Sequence, residues 1–284
     1  MQLRNARVWM RRSSFDSPPS SLANRRVLIT GASRGLGRSI AQVVAERGAD
    51  VALVARDGAA LEILAKELDG KAYPTDLSDP AAVETLIDRV EADGPVDVLI
   101  NNAGLDHVGL LPDTSAQSVR EVLQVNLAAP MELSRSVMPR LVSRGRGHIV
   151  NVSSMGALSI TPGLTLYGTS KAGLSQFTHG LRQELRGTPV GTTLVQLGSV
   201  KTDMIDNIRE FGPTRRVIER FERWRMQPRE ALDPVFVGNA VADAVERRRK
   251  YVNLPRQIVV TAALTELPRR LSEVLITGLD VKTV

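Results

Sequence analysis

The sequence predicts an α/β protein, a doubly wound parallel sheet covered by helices on both faces. Three observations carry this. Apolar runs of strand length alternate with segments whose apolar residues recur every three or four positions. The strand runs are apolar throughout, as strands covered on both faces must be. A glycine-rich turn follows the first run. At 284 residues, 43% hydrophobic and 24% charged, the chain can build one large core. No repeat or linker divides it, so residues 23–284 are expected to form a single domain.

The strand candidates are "RVLIT" (26–30), "VALVA" (51–55), "KAYPT" (71–75), "VDVLI" (96–100), "HIVNVS" (148–153) and "TTLVQL" (192–197). Between them, "SIAQVVAERG", "ALEILAKEL", "AAVETLIDRV" and the long run "SVREVLQVNLAAPMELSRSVMPRLVSRG" have helical spacing. Asp57 is placed to cap the second helix, and Asp79-Pro80 reads as an N-cap with proline in the first turn. Gly48 and Gly70 are expected to close the first two helices.

Composition removes several functions. With no cysteine and three scattered histidines, thiol chemistry, disulfides and a metal centre are not expected. The net charge of +6 is concentrated at the start: residues 1–26 hold six arginines and one acid, a local +5, so +6 less +5 leaves about +1 for the rest. That is not the pattern of a nucleic-acid-binding body. Residues 1–22 read as a basic, disordered extension, with a mitochondrial presequence as the alternative on Arg and Ser content. No window approaches the ~18 apolar residues of a membrane span. The expected location is cytoplasmic.

The turn after the first strand is "TGASRGLGRSIA", with Gly31, Gly35 and Gly37 opening a helix. Glycines there permit a tight turn and let a pyrophosphate approach the helix N-terminus. An ATP-cradling loop is excluded, because the position five after Gly31 is Leu36 and Arg38 stands where a lysine–hydroxyl pair is needed. A dinucleotide is therefore expected. The second strand ends in Arg56 and the turn contains Arg34, two guanidiniums suited to a 2′-phosphate. NADP(H) is favoured over NAD(H), Asp57 having a capping role. Asp76, ending the third strand, would accept from the adenine amino group, with Leu77 against the ring. "NNAG" (101–104) ends the fourth strand in small residues that let the cofactor pass close to the backbone.

In order, "TGASRGLG", "NNAG", Asn126 in "VNLAAP", "NVSS" and "YGTSK" resemble the short-chain dehydrogenase/reductase family over about residues 25–204. The resemblance implies a Rossmann-type sheet and hydride transfer between NAD(P)H and a carbonyl or alcohol. It implies cofactor contacts from Gly31, Ser33, Arg34, Gly35, Leu36, Gly37, Arg56, Asp76, Leu77, Asn102, Ala103, Gly104, Tyr167, Lys171, Val200 and Thr202. It also implies a catalytic set of Asn126, Ser154, Tyr167 and Lys171, in which Asn126 keeps a water in the proton relay.

The residues support the same chemistry. Tyr167 and Lys171 share a helix face. A phenol of pKa about 10 serves poorly at neutral pH, and an adjacent ammonium is expected to lower it, making Tyr167 a general acid/base. Lys171 would also hold the nicotinamide ribose, and Ser154 would hydrogen-bond the substrate oxygen. Ser153 reads as strand-end packing. A serine hydrolase lacks its G-x-S-x-G elbow here. The alternative of another class is an idle NADP-binding sensor on this fold, against which the intact four-residue set argues.

Two departures from the family stand out. Leu197 occupies the place of a usual proline in "QLGSVKTDM", although Gly198, Val200 and Thr202 match. The C-terminal segment, 255–284, is also atypical, with "IVVTA" as a candidate seventh strand and "LTELPRRLSEVLITGL" as a final amphipathic helix. Residues 203–229 fall where the family has its substrate lid, with Val217, Phe221 and Trp224 on one face, which suggests a lipophilic ketone. His107 is a lone histidine that could line the same pocket. The helices of 115–144 and of Tyr167 exceed what one sheet face needs, and in this family such helices pair about a two-fold axis. A homodimer is expected, with a tetramer possible and segment 264–277 over the substrate pocket or its partner.

Overall fold

The computed structural model describes residues 21–159, 161–223 and 230–255. Its sheet is seven-stranded and all parallel, in the order β3-β2-β1-β4-β5-β6-β7. The strands are β1 (Arg26–Thr30), β2 (Asp50–Ala55), β3 (Lys71–Pro74), β4 (Val98–Asn101), β5 (Gly147–Ser154), β6 (Val190–Leu197) and β7 (Tyr251–Leu254). The chain leaves β1 toward β3 on one side and returns to β4 on the other. A cleft therefore opens above the carboxyl ends of β1 and β4, where α/β sheets bind ligands.

The fully apolar strands have the predicted cause. Val27, Ile29, Val51 and Leu53 pack on one face with α1 (Gly35–Glu46), α2 (Gly58–Glu67) and α10 (Pro234–Glu246). Leu28, Ala52, Val54 and Leu99 pack on the other. That second face is covered by α3 (Pro80–Glu84), α4 (Leu86–Glu91), α6 (Ala129–Ser143) and α7 (Thr165–Glu184). Each such buried valine, leucine or isoleucine contributes roughly 1.5–3 kcal/mol. Gly238 lets α10 lie against α1, since a Cβ there would stand 3.1 Å from the Ser39 carbonyl oxygen. Arg47 then reaches Asp243 and Glu246, both at 2.8 Å.

The caps read from sequence are present: Asp57 accepts from Ala60 N–H and Asp79 from Ala81 N–H, each at 3.0 Å, with Pro80 in the first turn. Gly48 ends the first helix with φ +83°. Gly70 does not have that job. Asp69 carries the left-handed turn (φ +50°), and Gly70 is needed because a Cβ would come within 2.4 Å of Val51. The predicted helix over 81–90 is interrupted at Thr85. The 118–145 run continues from α5 (Ala116–Leu123) into α6 through a π turn at Gln124–Ala128.

Among the described residues the seventh strand is 251–254, a segment that is not among the strand candidates read from the sequence. Val252 and Leu254 turn inward and Tyr251 and Asn253 stay half-buried, an alternation hidden by the basic stretch before it. Residues 258–262, the proposed final helix and the 1–20 leader lie outside the described residues. No helix among the described residues is long and apolar enough to cross a membrane.

His148, in β5, is 3% exposed. The Thr193 hydroxyl donates to the Arg249 carbonyl, so it accepts from His148 Nε2–H at 2.7 Å and the ring is neutral. Burial, with Arg248 and Arg182 nearby, pushes its pKa down to about 3. Above the ordinary histidine value of about 6.5 neither folded nor unfolded chain is protonated there. As pH falls below it, the unfolded chain takes a proton that the folded chain refuses. Stability is thus lost from about pH 6.5 downward toward 3, by up to about 1.4 kcal/mol per pH unit. His148→Gln retains a donor toward Thr193 without the titration. Denaturant midpoints from pH 7.5 to 4.5 should show the wild type losing ground to the variant, and parallel curves would exclude the mechanism.

Candidate active site

The site is assembled where β1, β4 and β5 end. Gly31 and Gly35 adopt positive φ (+69° and +55°), which turns the chain from β1 into α1. The loop is pressed against the end of β4: a Cβ on Gly37 would lie 2.0 Å from the Gly31 carbonyl oxygen, and one on Gly31 2.8 Å from Ala103 Cα. The Thr30 hydroxyl accepts from the N–H groups of Asn102 and Ala103, both at 3.0 Å, and Asn102 Nδ2 donates to the Thr30 carbonyl at 2.9 Å. Asn102 therefore ties the glycine turn to β4. Thr30 was not foreseen; its only sequence signal is a hydroxyl directly before the glycine.

The first turn of α1 has no side-chain cap and no acidic residue, leaving its N–H groups open to an anion. It faces a cleft of about 610 Å³ lined by Gly31, Ser33, Arg34, Gly35, Leu36 and Gly37. The same cleft is lined by Arg56, Asp76, Leu77, Asn102, Ala103 and Gly104, and by Ser154, Tyr167, Lys171, Val200 and Thr202. Every residue expected at the cofactor is thus in one place. Their fit to a dinucleotide rests on the uncapped N-terminus and on a cradle that a Cβ at Gly37 would fill. Asp76 accepts from the backbone and hydroxyl of Ser78; the backbone bond holds its carboxyl below the usual range, with a lesser effect from Arg56. Arg34 pairs with Asp203 at 3.2 Å, both side chains 80% exposed, so the guanidinium is available to a stronger anion.

The catalytic candidates converge from three elements. Ser154 ends β5, and its hydroxyl accepts from Gly156 N–H at 3.1 Å and lies beside the Tyr167 phenol, whose pKa it lowers. Tyr167 and Lys171 lie on α7, 7% and 4% exposed, with Lys171 Nζ 6.0 Å from the phenol ring centre. Lys171 donates to the Val152 carbonyl at 3.0 Å. Ser153 accepts no catalytic part: its hydroxyl donates to the Lys171 carbonyl and meets Ser175, fixing α7 on β5.

Asn126 is fully buried in the π turn, a local distortion often found at functional sites. Its amide accepts from Leu105 N–H at 2.8 Å and donates to the Leu105 carbonyl and the Ser170 hydroxyl. It holds the loop after β4. A Cβ on Gly104 would stand 3.2 Å from Lys171 Nζ and 3.5 Å from Asn126 Oδ1, so the glycine is what lets these groups share one corner.

One expectation is reversed. Burial raises the Tyr167 phenol above its usual value, Ser154 partly opposes this, and Asp106 adds to it. Burial also pushes Lys171 down to about 8. Both charged forms lose solvent in the same corner, so desolvation outweighs the help an ammonium was expected to give.

Above this corner lie α8 (Asp203–Glu210) and α9 (Gly212–Arg223), the expected lid. Thr214 donates to the Pro162 carbonyl at 2.7 Å, and Gly163 (φ +87°) has room only for hydrogen against Phe211. The inward positions of α9 are Thr214 and Ile218, while Val217 is half-buried. The side chains of Phe221 and Trp224 lie outside the described residues. His107 is half-buried but is not among the cleft's walls. Met204, Ile205, Asn207 and Ile208 of α8 and Asp106 after "NNAG" are, and had not been singled out. Leu197 keeps β6 paired to Ser154 and Leu254 on its two sides, so loss of the usual proline leaves the strand end ordered.

Residues 25–212 match the family model described as short chain dehydrogenase. Ketoacyl reductase HetN of a Nostoc species is 33% identical over 268 residues, 92% of this chain and 88% of that one. A short-chain dehydrogenase from Sphingobium yanoikuyae, solved in complex with NADPH, superposes with a TM-score of 0.75 at 27% identity, covering 92% of this chain and 98% of that one. A short chain dehydrogenase/reductase from Burkholderia phymatum, in complex with NAD, does so with a TM-score of 0.74 at 26% identity over 93% and 100%. The chain belongs to the short-chain dehydrogenase family. It is an NAD(P)-dependent oxidoreductase working between a CH–OH group and a carbonyl.

Proposed function

We propose that the protein is an NADPH-dependent carbonyl reductase for a lipophilic ketone, and equally the alcohol dehydrogenase of the reverse reaction. The observation that carries this is the meeting of Ser154, Tyr167 and Lys171 in the same cleft as the uncapped α1 terminus. When bound, reduced nicotinamide supplies the hydride that reaches the carbonyl carbon. Ser154 orients the carbonyl oxygen, and Tyr167 gives it the proton. A buried phenol held protonated is the form that reduction needs. Lys171 holds the ribose hydroxyls and supports the phenolate left behind. Asn126 keeps the surrounding loop in place and, in this reading, the water through which Tyr167 is reprotonated. Met155, Leu164 and Ile218 give the substrate arm its apolar walls.

NADP(H) is preferred in this reading because Arg56 and Arg34 flank the place of a 2′-phosphate while Asp57 is committed to Ala60. For assembly, α6 and α7 form a shallow groove bounded by Met131, Met138 and Phe177, with Met131 42% exposed. That supports pairing of these helices into an isologous dimer.

Tyr167→Phe should lower turnover ~10²–10⁴-fold with NADPH binding retained in fluorescence titration; near-parental turnover would remove Tyr167 from its role. Arg56→Ala should weaken NADPH by ~1.5–3 kcal/mol and leave NADH little changed. A wild type that titrates more tightly with NADH would overturn the cofactor assignment. Light scattering should give the mass of a dimer, and a monomer would end the helix-pairing argument.

A further inference from the structure

The substrate arm is apolar on most sides but not at its mouth. Asp106, in the loop after β4, and Asn207, on α8, both line the cleft. Asn207 Nδ2 donates to Asp106 Oδ2 at 3.2 Å, so the two residues bridge the loop and the lid. Among the described residues this leaves the second carboxylate oxygen of Asp106 and the amide oxygen of Asn207 with no protein donor. Both acceptors are open to solvent at the edge of an apolar arm, where a donor on a bound molecule replaces water.

The charges around them point the same way. Of the arginines of the cleft, Arg56 stands at the end of β2, and Arg34, at the glycine turn, is paired with Asp203 of α8. Lys171 is buried and donates to the Val152 carbonyl. Arg209 of α8 is paired with Glu222 at 3.0 Å. The first turn of α8 also carries Asp206. Among the described residues, neither Asp106 nor Asp206 has an arginine or lysine partner. Asp106 and Tyr167 line the same cleft, and the field of Asp106 raises the Tyr167 pKa.

We infer that Asp106, with the amide oxygen of Asn207, selects ketones bearing a hydrogen-bond donor, a hydroxyl or an ammonium, several bonds from the carbonyl. Ketones bearing a carboxylate are turned away. The donor satisfies both acceptors, whereas a carboxylate would face Asp106 with nothing between them. This names a substrate class for the reductase reading above and rests on it.

The test uses three methyl ketones of equal chain length, ending in a methyl, a hydroxyl or a carboxylate group, with NADPH oxidation followed at saturating cofactor. The wild type should favour the hydroxyl ketone over the keto acid by about tenfold or more in kcat/KM, mainly through KM. Asp106→Asn should shrink that ratio by about tenfold, and Asn207→Asp, which adds a second charge while keeping the size, should widen it. If Asp106→Asn does not fold, the Asn207→Asp ratio decides. Equal use of all three ketones by the wild type, or ratios unmoved by the variants, would overturn the inference and leave the reductase reading intact. Failure of the wild type to reduce any of them, the plain methyl ketone included, would remove that reading and the inference with it.

Discussion

The hydroxyl of Thr30 joins the two halves of the sheet at the point where the cleft opens. It accepts from Asn102 and Ala103 N–H, so the end of β1 and the end of β4 are held at one height. Because these adjacent strands lead their chains in opposite directions, nothing in the sheet ladder itself fixes the loops above them. With the hydroxyl in place, Gly31 packs on Ala103 and Gly37 on Gly31, and no room is left for a Cβ at either glycine. The open helix terminus of α1 and the small residues of "NNAG" are therefore consequences of a single close contact. Arg34 and Arg56 at one end and Gly104 at the other take their places from it.

A second constraint turns this nucleotide-binding cleft toward chemistry. Asn101 donates to Asn151, which donates to Thr178 on α7, and Ser153 donates to the Lys171 carbonyl. These bonds are buried, where an unmet polar group is costly. They thus fix the rotation of α7 about its axis, and that rotation aims Tyr167 and Lys171 into the cleft. The serine and asparagines of "NNAG" and "NVSS" have this structural work as well as any contact with a ligand.

How much of this was legible in the sequence depended on what each residue needed. The strands, the caps at Asp57 and Asp79 and the glycine turn follow from local rules of apolar periodicity, orphan N–H groups and positive φ. They were readable one segment at a time. Gly70 looked like a helix terminator, but its reason is Val51 across the sheet, a long-range contact with no local signature. The seventh strand was missed because two inward residues, Val252 and Leu254, make too short an alternation to stand out beside "ERRRKY". The candidate catalytic residues stood out through spacing, whereas their electrostatics did not. Spacing tells that Tyr167 and Lys171 are neighbours, and only burial tells that both lose their water together.

That shared desolvation bears on direction. In a corner where phenolate and ammonium are both disfavoured, the resting pair is a protonated phenol beside a lysine whose charge is weakly held. In the proposed reduction such a pair gives a proton to an oxygen gaining charge, which leaves a phenolate near Lys171. Asp106 biases the same step, since a negative field favours the neutral phenol. A positive residue at that place would favour phenolate at rest and so the oxidation of an alcohol. In the reading proposed above, the acid at the mouth of the substrate arm acts on two properties at once, on which substituent the substrate carries and on which way the proton is poised to move.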